Sequence, residues 1–138
     1  MHPVYNPMVP GAVPLTTQIQ PGSRIIIHGN MHKKDEFAIN LVKGTDIVLH
    51  VNFRTHKEHN VVVNSCLYGT WGVEQRHKNP LKQGDHFSLH IACRPEQFDI
   101  ECNGHHMMSF QHRADPRTIQ AITLQGQFAC ESITIENH

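Results

Sequence analysis

The feature that most constrains this chain is the regular return of short strand-like segments broken by turn residues. Candidate strands run at 15–19, 24–29, 37–42, 46–54, 60–68, 72–76, 86–94, 97–102, 106–112, 121–125 and 131–136. Pro21-Gly22, Lys43-Gly44, Asn79-Pro80, Gln83-Gly84 and Asn103-Gly104 separate them. Successive side chains of a strand point to opposite faces, so period-two alternation marks strands with one buried side. Asn103-Gly104 between two such segments predicts a type I′ hairpin. No segment sustains a helical period. Short strands at even spacing predict an all-β sandwich or jelly roll.

The 138 residues suffice for one domain with a real core. Twelve basic and twelve acidic side chains cancel. They are scattered, so nothing favours nucleic acid or an anionic membrane as partner. No basic-then-apolar opening and no apolar run of about 18 residues is present. The expectation is therefore neither signal peptide nor membrane insertion. Residues 1–14 hold Pro3, Pro7, Pro10 and Pro14 with Asn6 and Gly11, which reads as an extended Pro-rich tail or linker remnant. The folded domain is expected over 15–138, without internal repeats. Cys93 and Cys102 continue apolar alternations and read as core thiols. Cys66 shares the parity of Asn64, on or near the same face. With Cys130 they form no Cys-x-x-Cys pair, and reduced thiols in the cytoplasm are expected. Thirteen histidines are many for this length. They include His28, His32, His56, His59, His77, His86, His90, His105, His106 and His112. They are dispersed and lack metal-ligand spacing, so most read as solvent-facing, and no metal or other cofactor is expected.

One run carries more information than the rest. Along 46–54, Ile47, Leu49, Val51 and Phe53 alternate with His50, Asn52 and Arg54. A strand would put imidazole, amide and guanidinium in a row, and Arg is seldom buried unpaired. The row spans about 13 Å, the footprint of one or two sugar rings. Asn64 follows, then Trp71-Gly72-Val73-Glu74-Gln75-Arg76, which offers an aromatic plate, a carboxylate and a second guanidinium. Trp71 is the only tryptophan. Without apolar alternation around it, it reads as exposed rather than core. Its parity is opposite to that of Glu74 and Arg76. All three can share a site only if the chain bends or bulges, and Gly72 is the place for it.

These residues resemble the carbohydrate-recognition signature of the galectins, His-x-Asn-Pro-Arg, then Asn, then Trp-Gly-x-Glu-x-Arg. Gly29, Phe37-Ala38-Ile39-Asn40-Leu41 and Phe110-Gln111-His112-Arg113 look like galectin framework, so the resemblance covers about residues 15–138. Phe53 departs, standing where the family usually has Pro, and the loop from His50 to Asn64 is short. The resemblance implies a two-sheet antiparallel jelly-roll sandwich with the sugar on its concave sheet. It implies a metal-independent lectin for β-galactosides of the lactose and N-acetyllactosamine type. His50, Asn52 and Arg54 would hold the axial O4 of galactose. Asn64 and Glu74 would take O6, and Trp71 would stack on the ring. Arg76 would hold Glu74 or reach the second sugar. His56 and Glu58 either form a specificity loop or are merely solvated. Phe53 either fills the core or, by removing the Pro, lets the strand run on and tilts Arg54.

The implied partners are galactose-containing glycoproteins and glycolipids, cross-linked through a homodimer or a second domain in a longer chain. Galectins also leave cells without a signal peptide, which implies access to the extracellular space. Two other classes compete. A glycoside hydrolase needs a carboxyl pair, and only Glu58 stands near Glu74 as a partner. A galectin-fold interaction protein with altered or lost galactoside binding is the alternative reading.

Overall fold

The structure is a computed structural model and describes residues 1–31 and 36–137. His32 lies outside the described residues. The thirteen strands among the described residues are β1 (Val4–Tyr5), β2 (Gly11–Pro14), β3 (Ser23–Asn30), β4 (Phe37–Lys43), β5 (Asp46–Phe53), β6 (Asn60–Leu67), β7 (Thr70–Trp71), β8 (Gln75–Lys78), β9 (His86–Cys93), β10 (Gln97–Cys102), β11 (His105–Gln111), β12 (Ala121–Gly126) and β13 (Ala129–Asn137). Among the described residues one 3₁₀ turn occurs, Pro116–Thr118, capped by the Asp115 carboxylate. The strands form two antiparallel sheets. One has the order β1-β13-β3-β9-β10-β11. The other has the order β2-β12-β4-β5-β6-β7, with β8 also paired to β6. This is the expected all-β jelly-roll sandwich.

Turn chemistry sets the hairpins. Asn103 and Gly104 both take positive φ, 51° and 81°, as a type I′ turn requires. Tyr68 and Gly69 do the same between β6 and β7, at 54° and 77°. Tyr68 carried no turn signal of its own, and it is held where its ring is 91% exposed.

The core fills the space between the sheets. Phe37 and Phe53 of one sheet stack at 4.7 Å between centroids, and Phe87 of the other lies 5.3 Å from Phe37. Phe128, from the β12–β13 connection, completes the cluster at 4.5 Å from Phe37. Phe53 is fully buried. It therefore fills the core, and β5 does not run on: it ends at Phe53, with the Arg54 amide donating to the Asn60 carbonyl at 2.8 Å. Cys93, Cys102 and Cys130 are buried, and burial pushes each thiol up to about 11. They stay protonated and pack as small hydrophobes. All four cysteines are free.

Three expectations are corrected. Residues 1–14 are not a loose tail. Val4 pairs with Ile133, and 11–14 pair with β12, so both segments are edge strands of the sandwich. The prolines sit where proline is tolerated: Pro3 just before β1, Pro7 and Pro10 between the two edge strands, and Pro14 at the end of β2. Residues 15–19 form no strand, although Ile19 is fully buried. Ile47 does not share the face of Leu49. Leu41 opposes Leu49 while Val42 opposes Ile47, so Val48 is an extra residue. This bulge turns Val48 into the core and leaves Ile47 half-buried.

Truncating Phe53 to Ala removes a ring from the centre of a stacked cluster. The unfolding free energy should fall by about 3–5 kcal/mol in urea titration. A loss below about 1 kcal/mol would contradict the core role.

Candidate carbohydrate-binding site

Sheet register lays the polar residues in rows. Thr123, Asn40, His50 and Asn64 oppose one another across β12, β4, β5 and β6. The next row runs Gln125, Ala38, Asn52, Val62 and Arg76. The odd residues of β4 and β5, Phe37, Ile39, Leu41, Leu49, Val51 and Phe53, belong to the core, so both rows lie on the outer face.

The parity conflict at Trp71 is resolved by a bulge. Cys66 opposes Trp71 and Val63 opposes Gln75, so three steps along β6 meet four steps on the returning chain. The extra residue reverses the alternation and brings Trp71 and Glu74 to one cavity. The Gly72 amide donates to the Ser65 carbonyl at 2.9 Å, and the Asn64 Nδ2 donates to the Gly72 carbonyl at 2.9 Å.

That cavity holds about 340 Å³ and is lined by His50, Arg54, Asn64, Trp71, Gly72 and Glu74. Trp71 is half exposed. His50 meets it edge-on with ring centroids 4.9 Å apart. Asn52 and Arg76 do not line it. Asn52 is buried, and its Oδ1 accepts from Arg54 Nε at 2.7 Å while its Nδ2 donates to Glu36 Oε2 and the Phe37 carbonyl, each at 3.1 Å. It braces Arg54 from behind. Asn52, His50, Glu36 and Gln125 line a second hollow on the other side of His50.

Arg54 and Arg76 alternate with two carboxylates. Arg54 reaches Glu58 at 3.4 Å and Glu74 at 3.5 Å, and Arg76 reaches Glu58 at 3.1 Å and Glu74 at 3.3 Å. Glu58 is therefore part of the constellation. The Asn60 amide, then Arg76, hold its carboxyl below the usual range. His56 is exposed beside this network.

Sequence reasoning missed Asn40. It is 1% exposed and donates through Nδ2 to Gln125 Oε1 at 2.7 Å and Thr123 Oγ1 at 3.1 Å. Its Oδ1 lies 2.5 Å from His50 Nδ1. With both Nδ2 hydrogens committed, Asn40 can only accept from His50. Nδ1 then carries the proton, and Nε2 keeps its lone pair. The signal was there: Asn40 is the one polar residue inside an otherwise apolar run of β4.

A family model described as galactoside-binding lectin matches residues 10–135. The chain is similar to the probable galaptin lec-8 of Caenorhabditis elegans, 42% identical over 97% of this chain and 76% of that protein. The chain belongs to the galactoside-binding lectins. It is also 35% identical to the 32 kDa beta-galactoside-binding lectin of Caenorhabditis elegans, across 96% of this chain and 48% of that one. The crystal structure of Caenorhabditis elegans galectin LEC-6 superposes with a TM-score of 0.91 at 29% identity, covering 98% of this chain and 96% of that one. This galectin therefore shares a fold with a solved relative along nearly its whole length.

The lone pair on His50 Nε2 is present only while the imidazole is neutral. Burial, and then the Arg54 guanidinium, hold the imidazole below its ordinary range. Unfolded His takes its proton near about pH 6.5, and folded His50 does so only at lower pH. Its contribution to stability is thus present above about pH 6.5 and lost as pH falls through the depressed value. Galactoside affinity should stay level from about pH 8 to 6.5 and fall below that, as protonation removes the Nε2 acceptor. Calorimetric titrations across this range check it, and a drop already complete by about pH 7 would remove His50 from control.

Proposed function

We propose that the cavity on the seven-stranded sheet is the galactose pocket, with each lining residue in a defined role. The observation that carries this reading is the convergence of His50, Arg54, Asn64, Trp71 and Glu74 on one open cavity of about 340 Å³. Trp71 presents an indole face to the apolar C–H patch of the sugar ring. His50 Nε2 accepts from the axial O4 hydroxyl while Arg54 donates to the same oxygen, so one hydroxyl is satisfied as donor and acceptor. An equatorial O4 would leave those buried polar groups unpaired, which rejects glucose. Asn64 donates to O6 and Glu74 accepts from it. Arg76 and Glu58 hold Glu74 and Arg54 in register, and the exposed edge near Arg76 and Glu58 takes the second sugar.

Binding without catalysis fits the charge pattern. A glycosidase acid needs a raised pKa, whereas Glu58 is held low and both carboxylates are spanned by arginines. Every recognition group is an organic side chain, so the proposed binding is metal-independent. The proposed partners are galactose-containing glycoproteins and glycolipids, with cross-linking through a dimer or a further domain. Reduced thiols suit a cytoplasmic protein with non-classical release.

Isothermal titration calorimetry with lactose, against sucrose and EDTA controls, tests the reading. Saturable, EDTA-insensitive binding of lactose and not sucrose is expected. Trp71→Ala and Arg54→Ala should each remove that binding, a loss beyond about 2 kcal/mol, with Tm unchanged. Retained binding in both variants would sink the assignment. A folded wild-type chain that ignores lactose would favour the interaction-protein alternative.

A further inference from the structure

Arg113 follows β11 at the edge of the six-stranded sheet, yet its guanidinium belongs to the other sheet. Nη1 donates to Asn64 Oδ1 at 2.8 Å and to Ser65 Oγ at 3.1 Å, and Nη2 donates to the Val73 carbonyl at 2.7 Å. The guanidinium carbon stacks 4.4 Å from the Phe110 ring centroid, which fixes the plane of the fork. All three oxygens are neutral, and two belong to Asn64 and to the bulge between Trp71 and Glu74.

The consequence for Asn64 is a forced orientation. Its Oδ1 accepts from Arg113 and from the Ser65 amide at 2.8 Å, so both lone pairs are taken. A flipped amide would set NH₂ against a guanidinium donor. One Nδ2 hydrogen goes to the Gly72 carbonyl, and the other is left for the cavity. Asn64 can therefore only donate to a ligand. Gly72 has its own place in this arrangement. A Cβ there would come 2.5 Å from Arg113 Nη1 and 3.2 Å from Asn64 Oδ1. A side chain at 72 would therefore have to displace the guanidinium from its place against Asn64.

We propose that Arg113 is a positioning residue of the binding site: it sets Asn64 as an obligate donor and pins the Trp71–Glu74 bulge, so recognition of the galactose 6-hydroxyl depends on it. The first half rests on the hydrogen bonds alone. The identity of the hydroxyl rests on the galactose pocket proposed above.

The test uses wild type, Arg113→Lys and Arg113→Met, each checked for Tm. In the ligand-free proteins, the side-chain amide of Asn64 and the indole N–H of Trp71 are followed by ¹H–¹⁵N NMR. Both resonances should move in Arg113→Met and move less in Arg113→Lys, whose ammonium can replace part of the donation. Calorimetry then compares lactose with its analogue lacking the galactose 6-hydroxyl. Wild type should prefer lactose. Arg113→Met should lose about tenfold on lactose and far less on the analogue, so the preference collapses, and Arg113→Lys should recover part of it. Unmoved Asn64 and Trp71 resonances would overturn the proposal. So would an equal loss on both ligands that tracks a fall in Tm. A wild-type chain that fails to bind lactose, or that binds both sugars alike, would defeat the galactose assignment, and the NMR arm would still decide the role of Arg113.

Discussion

Everything in the site depends on the register between β5 and β6. His50 opposes Asn64, and Phe53 opposes Val61. Strand side chains alternate, so a slip of one residue would send His50 and Asn52 into the core and Leu49 and Val51 to solvent. The core enforces the alignment. Phe53 stacks within the aromatic cluster that joins the two sheets, so apolar packing on one face fixes polar geometry on the other. Recognition chemistry and stability are thus coupled through opposite faces of the same two strands.

Two bulges then adjust what strict alternation would deliver. The one at Val48 turns that side chain into the core at the cost of Ile47, which is left half-buried. The one after Trp71 brings an aromatic plate and a carboxylate to the same side. The charged residues around them form a closed alternation of two guanidinium and two carboxylate groups. Such pairs contribute little to stability when exposed. Their value is geometric, since each long side chain is held at both ends of its fork before a ligand arrives, which lowers the entropy lost on binding.

Much of this was legible in the chain itself. Period-two alternation from 49 to 54, the Asn103-Gly104 turn and the parity conflict at Trp71 each follow from local rules that tertiary structure respected. What escaped was of two kinds. Residues 1–14 looked like a tail because proline content signals extended chain, while their pairing with β12 and β13 is contact at a separation of more than a hundred residues. Bulges such as that at Val48 leave no composition mark either, because the extra residue is as apolar as its neighbours. Asn40 and Arg113 were visible as framework residues. Their connections to His50 and Asn64 cross strands or sheets, and no spacing along the sequence encodes them.

The pairing of β1 with β13 has a mechanical meaning. The Met1 ammonium lies 3.4 Å from the Ile135 carbonyl, so the two ends of the described fold leave from adjacent strands on one edge. Within its sheet that edge is opposite to β11, and it is from the β11 edge that Arg113 reaches Asn64 and the Val73 carbonyl beside the cavity. Anything anchored through either end would hang from the blind side and leave the cavity facing outward. Tension applied between the ends would load the β1–β13 ladder one hydrogen bond at a time, like a zipper, and would open the sandwich on the side that carries no part of the cavity.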